Sequence, residues 1–287
     1  MNYKLHSLLI GISLMTLIYC GCKAESVPPV AQNYFQYYDN LDKDPSLKDH
    51  LIIHMMFFPW DKNQRFLDDD LNFDHAPYLK MVERVKSIPN AHVIMWTYSK
   101  TKEFCKKNYP AFWNILEKYS QRNIMYIDIL RFFIVYHYGG IYWQYDSIPL
   151  SSSMIDYLPS KNKKWRLFTE SVITQEYALK MANEPIRKGK SEELIRVVTG
   201  AFACNERKNP NVLDLIFFYF KRMLTEKLHS DYDVLYISGN AAMSEYYDQY
   251  LKNNQEVELT SLEDAKKMIN WNSKGSWKMD HLKVSTK

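Results

Sequence analysis

Residues Asp128–Asp146 read DILRFFIVYHYGGIYWQYD, and this stretch decides the fold. Its first part is strongly apolar and predicts a helix over Ile124–Tyr138, because Gly139 follows where a helix C-terminus favours glycine. The chain then passes through two glycines into a short predicted strand, Ile141–Tyr145, and Asp146 comes at its end. In open α/β sheets ligands bind at the carboxyl ends of strands, so Asp146 is predicted to lie at a ligand site.

Asp128 and Arg131 are the two charged residues on this otherwise apolar helix. Their i, i+3 spacing places both side chains on one helix face. Burying charge is costly unless the two groups pair or the face borders a polar cavity. The spacing alone leaves both interpretations open, a structural ion pair or a pair that lines a binding site.

Strands alternating with helices predict the fold class of the whole chain. The predicted strands are Leu51–Phe58, Ala91–Thr97, Ile141–Tyr145, Trp165–Thr169 and Thr199–Cys204, and the helices are Tyr78–Ser87, Thr101–Tyr119 with a break at Pro110, Ile124–Tyr138, Asn211–Leu228 and Ala241–Tyr250. This order implies an α/β domain with a mostly parallel central sheet flanked by helices. Residues 51–287 contain no repeat or linker, so we expect a single domain there.

The composition excludes several classes of function. The chain has 287 residues with 37 basic and 33 acidic ones interspersed, a balance that predicts no nucleic-acid partner. It lacks a Gly-x-Ser-x-Gly sequence and a phosphate-cradling glycine loop, which argues against a serine hydrolase or a P-loop enzyme. Most of the eight histidines are scattered singly along the sequence, and a zinc site is not expected.

The first 24 residues resemble a signal peptide. Ser7–Ile18 forms an apolar run that is shorter than the roughly 20 residues of a spanning helix, and cleavage is expected after Ala24. Cys22 after Gly21 leaves bacterial lipidation as a lesser alternative, and a retained membrane anchor as a third. We therefore expect an exported protein in which residues 25–50 form a linker ahead of the domain.

Two cysteines, Cys105 and Cys204, remain after such cleavage. An exported protein can join two cysteines in a disulfide, but the spacing does not show that they meet. A disulfide and two buried thiols are left as equal alternatives.

The pattern Asp-x-x-Arg, a spacer, Gly-Gly-x-Tyr and a final Asp resembles the sugar-binding region of family 32 glycosyltransferases. That family carries a DXD motif and includes yeast-type α-mannosyltransferases and capsular-polysaccharide enzymes, and the pattern is also similar to the clostridial glucosylating toxins. The resemblance implies a GT-A type nucleotide-binding domain. It also implies that Asp128 and Arg131 contact hydroxyls of the donor sugar, and that Asp146 binds Mn²⁺ or Mg²⁺.

Weaker similarity extends over about Leu51 to Trp277. The segments that carry it are Ile52–His54, Trp96, Thr199–Phe202, Ser238–Asn240 and Gly275–Trp277. By this resemblance Trp96 would stack on the nucleobase, and Ser276 and Trp277 would close over the nucleotide of the donor.

Gln144 departs from the family pattern, because it stands where the DXD motif has its first Asp. Its neutral carbonyl oxygen can reach a ribose hydroxyl or a metal-bound water but adds no charge. We expect transfer of a hexose from a UDP- or GDP-sugar, with retention, to a hydroxyl of a glycan, polysaccharide or protein. The alternatives are a catalytically degenerate sugar- or nucleotide-binding protein on the same fold, and a glycoside hydrolase that uses two carboxylates.

Overall fold

A computed structural model describes residues 51–58, 60, 66, 91–144, 147–174, 194–228 and 231–271. The strands within these ranges are β1 (Leu51–Phe57), β2 (Ala91–Thr97), β3 (Gly140–Trp143), β4 (Ser147–Pro149), β5 (Trp165–Ile173), β6 (Leu194–Val197), β7 (Ala201–Cys204), β8 (Val257–Thr260) and β9 (Ile269–Trp271). The helices are α1 (Tyr98–Asn108), α2 (Pro110–Tyr119), α3 (Asn123–Tyr138), α4 (Pro210–Thr225), α5 (Asp231–Ile237), α6 (Asn240–Tyr246) and α7 (Leu262–Met268).

Seven of these strands form one mixed sheet in the order β2-β1-β3-β7-β5-β6, with β8 paired to β5. The pairs β1–β2, β1–β3 and β5–β8 are parallel. The pairs β3–β7, β5–β7 and β5–β6 are antiparallel. The predicted α/β domain with a central sheet flanked by helices is confirmed, and the sheet is parallel around β1 and antiparallel around β7.

Apolar side chains cover both faces of the sheet, as the alternation along β1 shows. Met56 belongs to a large core in which helices α1 to α4 pack on one face. Ile53 and Met55 belong to a second core on the other face, together with Met154, Tyr157 and Ala265 of α7. Because successive strand residues point to opposite faces, a run that is apolar throughout is buried from both sides.

Helix α3 ends at two glycines that the geometry requires. Gly139 has φ 69° and Gly140 has φ 91°, values that residues with a side chain rarely adopt. A Cβ on Gly140 would also lie 2.5 Å from the carbonyl oxygen of Ile52, because β3 pairs directly with β1 there. The glycine pair therefore lets the chain leave the helix and enter the sheet within two residues.

Several local predictions are confirmed at the level of single elements. The break at Pro110 separates α1 from α2, and β2 has the predicted bounds. Cys105 and Cys204 are both free and buried, which decides between the two alternatives in favour of thiols. The predicted helix Tyr78–Ser87, the signal segment and the linker lie outside the described residues. No helix in the described ranges combines the length and apolarity needed to span a bilayer.

Candidate functional site

Asp128 and Arg131 form a buried ion pair on α3. Nη2 of Arg131 donates to Oδ1 of Asp128 at 2.6 Å, and the two side chains are 3% and 8% exposed for Arg131 and Asp128 respectively. The Arg131 guanidinium also lies over the ring of Tyr142, with 5.1 Å between its central carbon and the ring centroid. The two charges therefore pair, which is one of the two interpretations that the spacing left open.

The pair is tied to a bend, Thr199–Gly200, between β6 and β7. Nη1 of Arg131 donates to the carbonyl oxygen of Thr199 at 2.7 Å and to its hydroxyl at 3.2 Å. The hydroxyl of Ser238 donates to Oδ2 of Asp128 at 3.2 Å. The backbone N–H and the hydroxyl of Thr199 both donate to Oδ1 of Asn240, at 3.2 Å and 2.5 Å. One hydrogen-bonded network thus joins α3, the bend and the start of α6.

Burial dominates the electrostatics of this network. Desolvation raises the pKa of Asp128 to about 6, while the guanidinium of Arg131 and the hydroxyl of Ser238 oppose that rise. Asp128 is therefore charged at neutral pH, and acidification below about 6 removes its charge from the pair.

Gln144 lies at the carboxyl edge of β3, directly beside the bend. Its backbone N–H donates to the carbonyl oxygen of Gly200 at 2.7 Å. Its side-chain oxygen lies so close to Gly200 that a Cβ atom on this glycine would be only 2.7 Å from it. Gln144 is partly exposed, and within the described ranges no hydrogen bond joins its side-chain amide to the protein. The amide is thus available to a ligand at the edge where α/β sheets bind ligands.

Glu170 is a further polar residue of this region, and the sequence patterns did not identify it. Its Oε2 accepts a hydrogen bond from Nδ2 of Asn240 at 2.6 Å and lies 3.0 Å from Nε of Arg196. Glu170 stands in a strand with no motif around it, so only the three-dimensional contacts reveal it. We call the partly exposed residues Gln144, Glu170 and Asn240 the polar rim.

Trp96 does not occupy the position predicted from the resemblance. It is 1% exposed, and its indole N–H donates to Nδ1 of His54 at 3.1 Å. Its ring packs against Phe104 and Tyr138 in the core. Because its faces are covered by these side chains, this geometry does not support stacking on a nucleobase, and Trp96 is a core residue.

Three predicted site residues, Asp146, Ser276 and Trp277, lie outside the described residues. In the ranges that the structure describes, no cluster of three His, Cys, Asp or Glu side chains is arranged to hold a metal ion. Of the predicted site residues, Asp128, Arg131 and Gln144 are thus brought to one region through Thr199 and Gly200.

Part of this region is similar to a known protein family. Residues 77–165 match the family model described as "Glycosyltransferase sugar-binding region containing DXD motif". The match includes Asp128, Arg131 and Gln144, and it confirms the resemblance to this glycosyltransferase family.

Curated relatives match over a short segment. The chain is 42% identical over 53 residues to inositol phosphoceramide mannosyltransferase 1 of Schizosaccharomyces pombe, a match that covers 18% of this chain and 16% of the relative. It is 36% identical over 58 residues to inositol phosphoceramide mannosyltransferase 2 of the same yeast, which covers 20% and 16%. The matched segment therefore spans about a sixth of the length of these relatives.

Among solved structures, the chain is similar to the PaToxG glycosyltransferase at 12% identity and a TM-score of 0.45, with 78% of each chain covered.

Proposed function

We propose that this chain transfers a hexose from a nucleoside-diphosphate sugar to a hydroxyl group of a glycan, polysaccharide or protein. The observation that carries the proposal is the buried Asp128–Arg131 pair, which Thr199 ties to the edge of the sheet beside Gln144. All three of the proposed sugar-site residues lie in the segment that matches the sugar-binding family model.

Asp128 is proposed to accept hydrogen bonds from hydroxyls of the donor sugar. A carboxylate offers about four lone-pair sites, and Arg131 and Ser238 each use one of them. Arg131 fixes the orientation of this carboxylate, because its own donors are also held by Ile127 and Thr199. A fixed, partly unsatisfied acceptor beneath the polar rim is suited to orient a sugar rather than only to bind it.

Asp146 is proposed to hold Mn²⁺ or Mg²⁺, with Gln144 beside it as a neutral oxygen donor. Such ions are commonly bound through one or two carboxylates and completed by substrate phosphates and water, so one carboxylate is a sufficient protein contribution. When bound, the ion would neutralise charge that develops on the departing nucleoside diphosphate. Ser276 and Trp277 are proposed to contact the nucleotide, and retention of the anomeric configuration follows the family resemblance.

Mannose is the first hexose to test, because the similar yeast proteins are named mannosyltransferases. GDP-mannose and UDP-glucose together cover the two nucleotides expected for the donor. The apolar segment at the N-terminus is proposed to direct export, with membrane association through that segment as the alternative.

A catalytically degenerate binding protein is the second candidate, and Gln144 is the observation that favours it. Replacing a carboxylate by an amide removes one negative charge that would attract a divalent cation. Such a protein would bind nucleotide sugars without turning them over, so binding and turnover separate the two candidates.

Donor binding provides the test of the proposed site. Thermal unfolding of the purified protein would be followed with GDP-mannose or UDP-glucose, each with and without Mn²⁺. We expect a rise of about 5 °C or more for the preferred donor at 100 times its Kd, and this rise should require Mn²⁺. Asp146→Asn should lose most of the Mn²⁺-dependent rise.

Asp248→Asn is the matched control, since Asp248 lies on the surface beside Lys252 and outside the proposed site. It should retain the full Mn²⁺-dependent rise. Binding that does not depend on Mn²⁺ would refute the role of Asp146 but not the proposed sugar contacts. No binding of any nucleotide sugar would refute the proposed function.

A further inference from the structure

Glu170 lies at the same edge of the sheet as Gln144. Gly140 of β3 and Trp165 of β5 are both paired with Cys204 of β7, and β3 and β5 run in the same direction. Gln144 is four residues beyond Gly140, and Glu170 is five residues beyond Trp165. Because strand residues advance by a constant rise, Gln144 and Glu170 lie at a similar height toward the carboxyl side of the sheet.

A β-bulge presents Glu170 at this edge. Thr169 pairs with Val197 and Ser171 pairs with Arg196, so Glu170 is the extra residue between two consecutive partners on β6. A bulge of this kind leaves one residue out of the ladder and redirects its side chain, and bulges are frequent beside active sites.

The carboxylate of Glu170 is held from one side. Both of its neighbours, Nδ2 of Asn240 and Nε of Arg196, approach the same oxygen, Oε2. In the part of the chain that the structure describes, no donor is recorded on Oε1. The Glu170 side chain is 31% exposed, so a ligand can reach part of it.

If Glu170 only formed a structural ion pair with Arg196, it would not need a second hydrogen-bond partner such as Asn240. Partly exposed ion pairs stabilise a protein by about 0–1 kcal/mol, and they do not need a third residue to orient the carboxylate. Here Asn240 is hydrogen-bonded to both Glu170 and Thr199. Thr199 in turn accepts a hydrogen bond from Arg131. Glu170 is therefore joined to the Asp128–Arg131 pair by consecutive hydrogen bonds.

We propose that Glu170 binds a hydroxyl group of the donor hexose through its open oxygen, and this inference rests on the proposed function above. The buried Asp128–Arg131 pair would contact the sugar from beneath, and Glu170 would contact it from the polar rim. A carboxylate is suited to this contact because it accepts from two hydroxyls at once and forms stronger hydrogen bonds than a neutral oxygen. Asn240 and Arg196 act as positioning residues for it.

The dissociation constants of a nucleotide sugar and of its nucleoside diphosphate test this role. Both would be measured by titration calorimetry with Mn²⁺, using GDP-mannose against GDP or UDP-glucose against UDP. In Glu170→Gln the amide oxygen faces Asn240 and Arg196, and an NH₂ group replaces the open oxygen. We expect the nucleotide sugar to bind about tenfold more weakly, with the nucleoside diphosphate unchanged within about twofold.

Glu258→Gln is the matched control. Glu258 is a partly exposed carboxylate on the same sheet and, like Glu170, lies close to an arginine Nε, at 3.7 Å from Arg166. It should bind both compounds as the wild type does. Equal loss of sugar binding in both variants, or none in Glu170→Gln, would overturn the role of Glu170 and leave the proposed function intact.

Glu170→Asp keeps the charge and withdraws the carboxylate by one methylene, so it tests the contact if the Gln variant does not fold. It should also weaken the nucleotide sugar selectively, and wild-type affinity in this variant would overturn the inference. A wild-type protein that binds the nucleoside diphosphate and its sugar equally would refute a sugar contact by Glu170 directly. A wild type that binds neither compound would refute the proposed function together with it.

Discussion

Arg131 donates to three residues in two separate parts of the chain, α3 and the bend. Besides Asp128 it holds the carbonyl oxygen of Ile127 and both oxygens of Thr199. A planar guanidinium holds five N–H donors in a fixed fork, whereas the ammonium of a lysine is a compact point charge with only three. The side chain therefore supports the site and the packing of α3 against the bend.

Removing Arg131 alone should destabilise the protein strongly. Arg131→Met leaves the Asp128 carboxylate buried without its charged partner, and such a loss costs about 3–5 kcal/mol. The free energy of unfolding would be measured by urea titration at pH 7. The double variant Asp128→Leu/Arg131→Met removes both charges and should recover at least half of that loss.

A double variant that is as unstable as Arg131→Met would contradict the pairing as the source of the loss. It would instead assign the cost to the carbonyl oxygen of Thr199, which loses its donor in both variants.

At this scale the sequence predicts contacts that are close in the chain and misses those that are far apart. The i, i+3 spacing places Asp128 and Arg131 on one helix face, and their pairing is one of the two interpretations that it allows. Glu170 is coupled to the site by Asn240, which lies 70 residues away, and no local pattern encodes such a contact. Trp96 was placed by resemblance alone, and the structure puts its indole in the core because His54 and apolar rings surround it.

His54 joins three elements, because it lies on β1 and is hydrogen-bonded to β2 and to the end of α3. Its Nδ1 accepts from the indole of Trp96 on β2, so Nε2 carries the proton and donates to the carbonyl oxygen of Gly139 at 2.9 Å. Burial lowers the pKa of His54 to about 4, and the positive charge of Arg207 adds to this effect. Protonated His54 would lose the Trp96 bond, because both ring nitrogens would then be donors.

The contribution of His54 to the stability of the protein should consequently fall on acidification. The folded-state pKa of His54 lies below its ordinary value of 6.5, so the unfolded chain binds the proton more readily between pH 6.5 and about 4. The contribution of neutral His54 is complete above pH 6.5 and is lost as the pH falls toward 4. At about 1.4 kcal/mol per pH unit, the loss is about 3 kcal/mol.

Urea unfolding of the wild type and of His54→Gln at pH 7, 5.5 and 4.5 measures this loss. The glutamine amide can accept from Trp96 and donate to Gly139 but does not titrate. The free energy of the wild type should therefore fall relative to that of the variant as the pH decreases, and parallel curves would contradict the account of His54.

The long helices were predicted well, whereas several of the short strands were not. Helices α3 and α4 carry enough apolar residues, and a clear enough end, to be predicted within a few residues of their bounds. Strands β6, β8 and β9 have only three or four residues each, too few to show a period. Their sequences form strands because neighbouring strands pair with them, and this depends on the fold as a whole.

On the scale of the molecule, the site lies where the direction of strand pairing changes. β3 is parallel to β1 and antiparallel to β7. The bend Thr199–Gly200 leads into β7, so it meets the carboxyl end of β3 and brings Gln144 together with the partners of Arg131. Alternating strands and helices predicted the α/β class, but the antiparallel half depends on pairings over long sequence separations.

Turnover of a nucleotide sugar tests directly whether the protein is a glycosyltransferase. Purified protein would be incubated with GDP-mannose or UDP-glucose and Mn²⁺, and the released nucleoside diphosphate and hexose would be quantified by mass spectrometry. We expect release from one of the donors by the wild type, and a loss of at least about tenfold when Asp128→Asn removes the charge proposed to contact the sugar. No release from either donor by a protein that binds them would contradict transferase activity and identify a binding protein on the same fold.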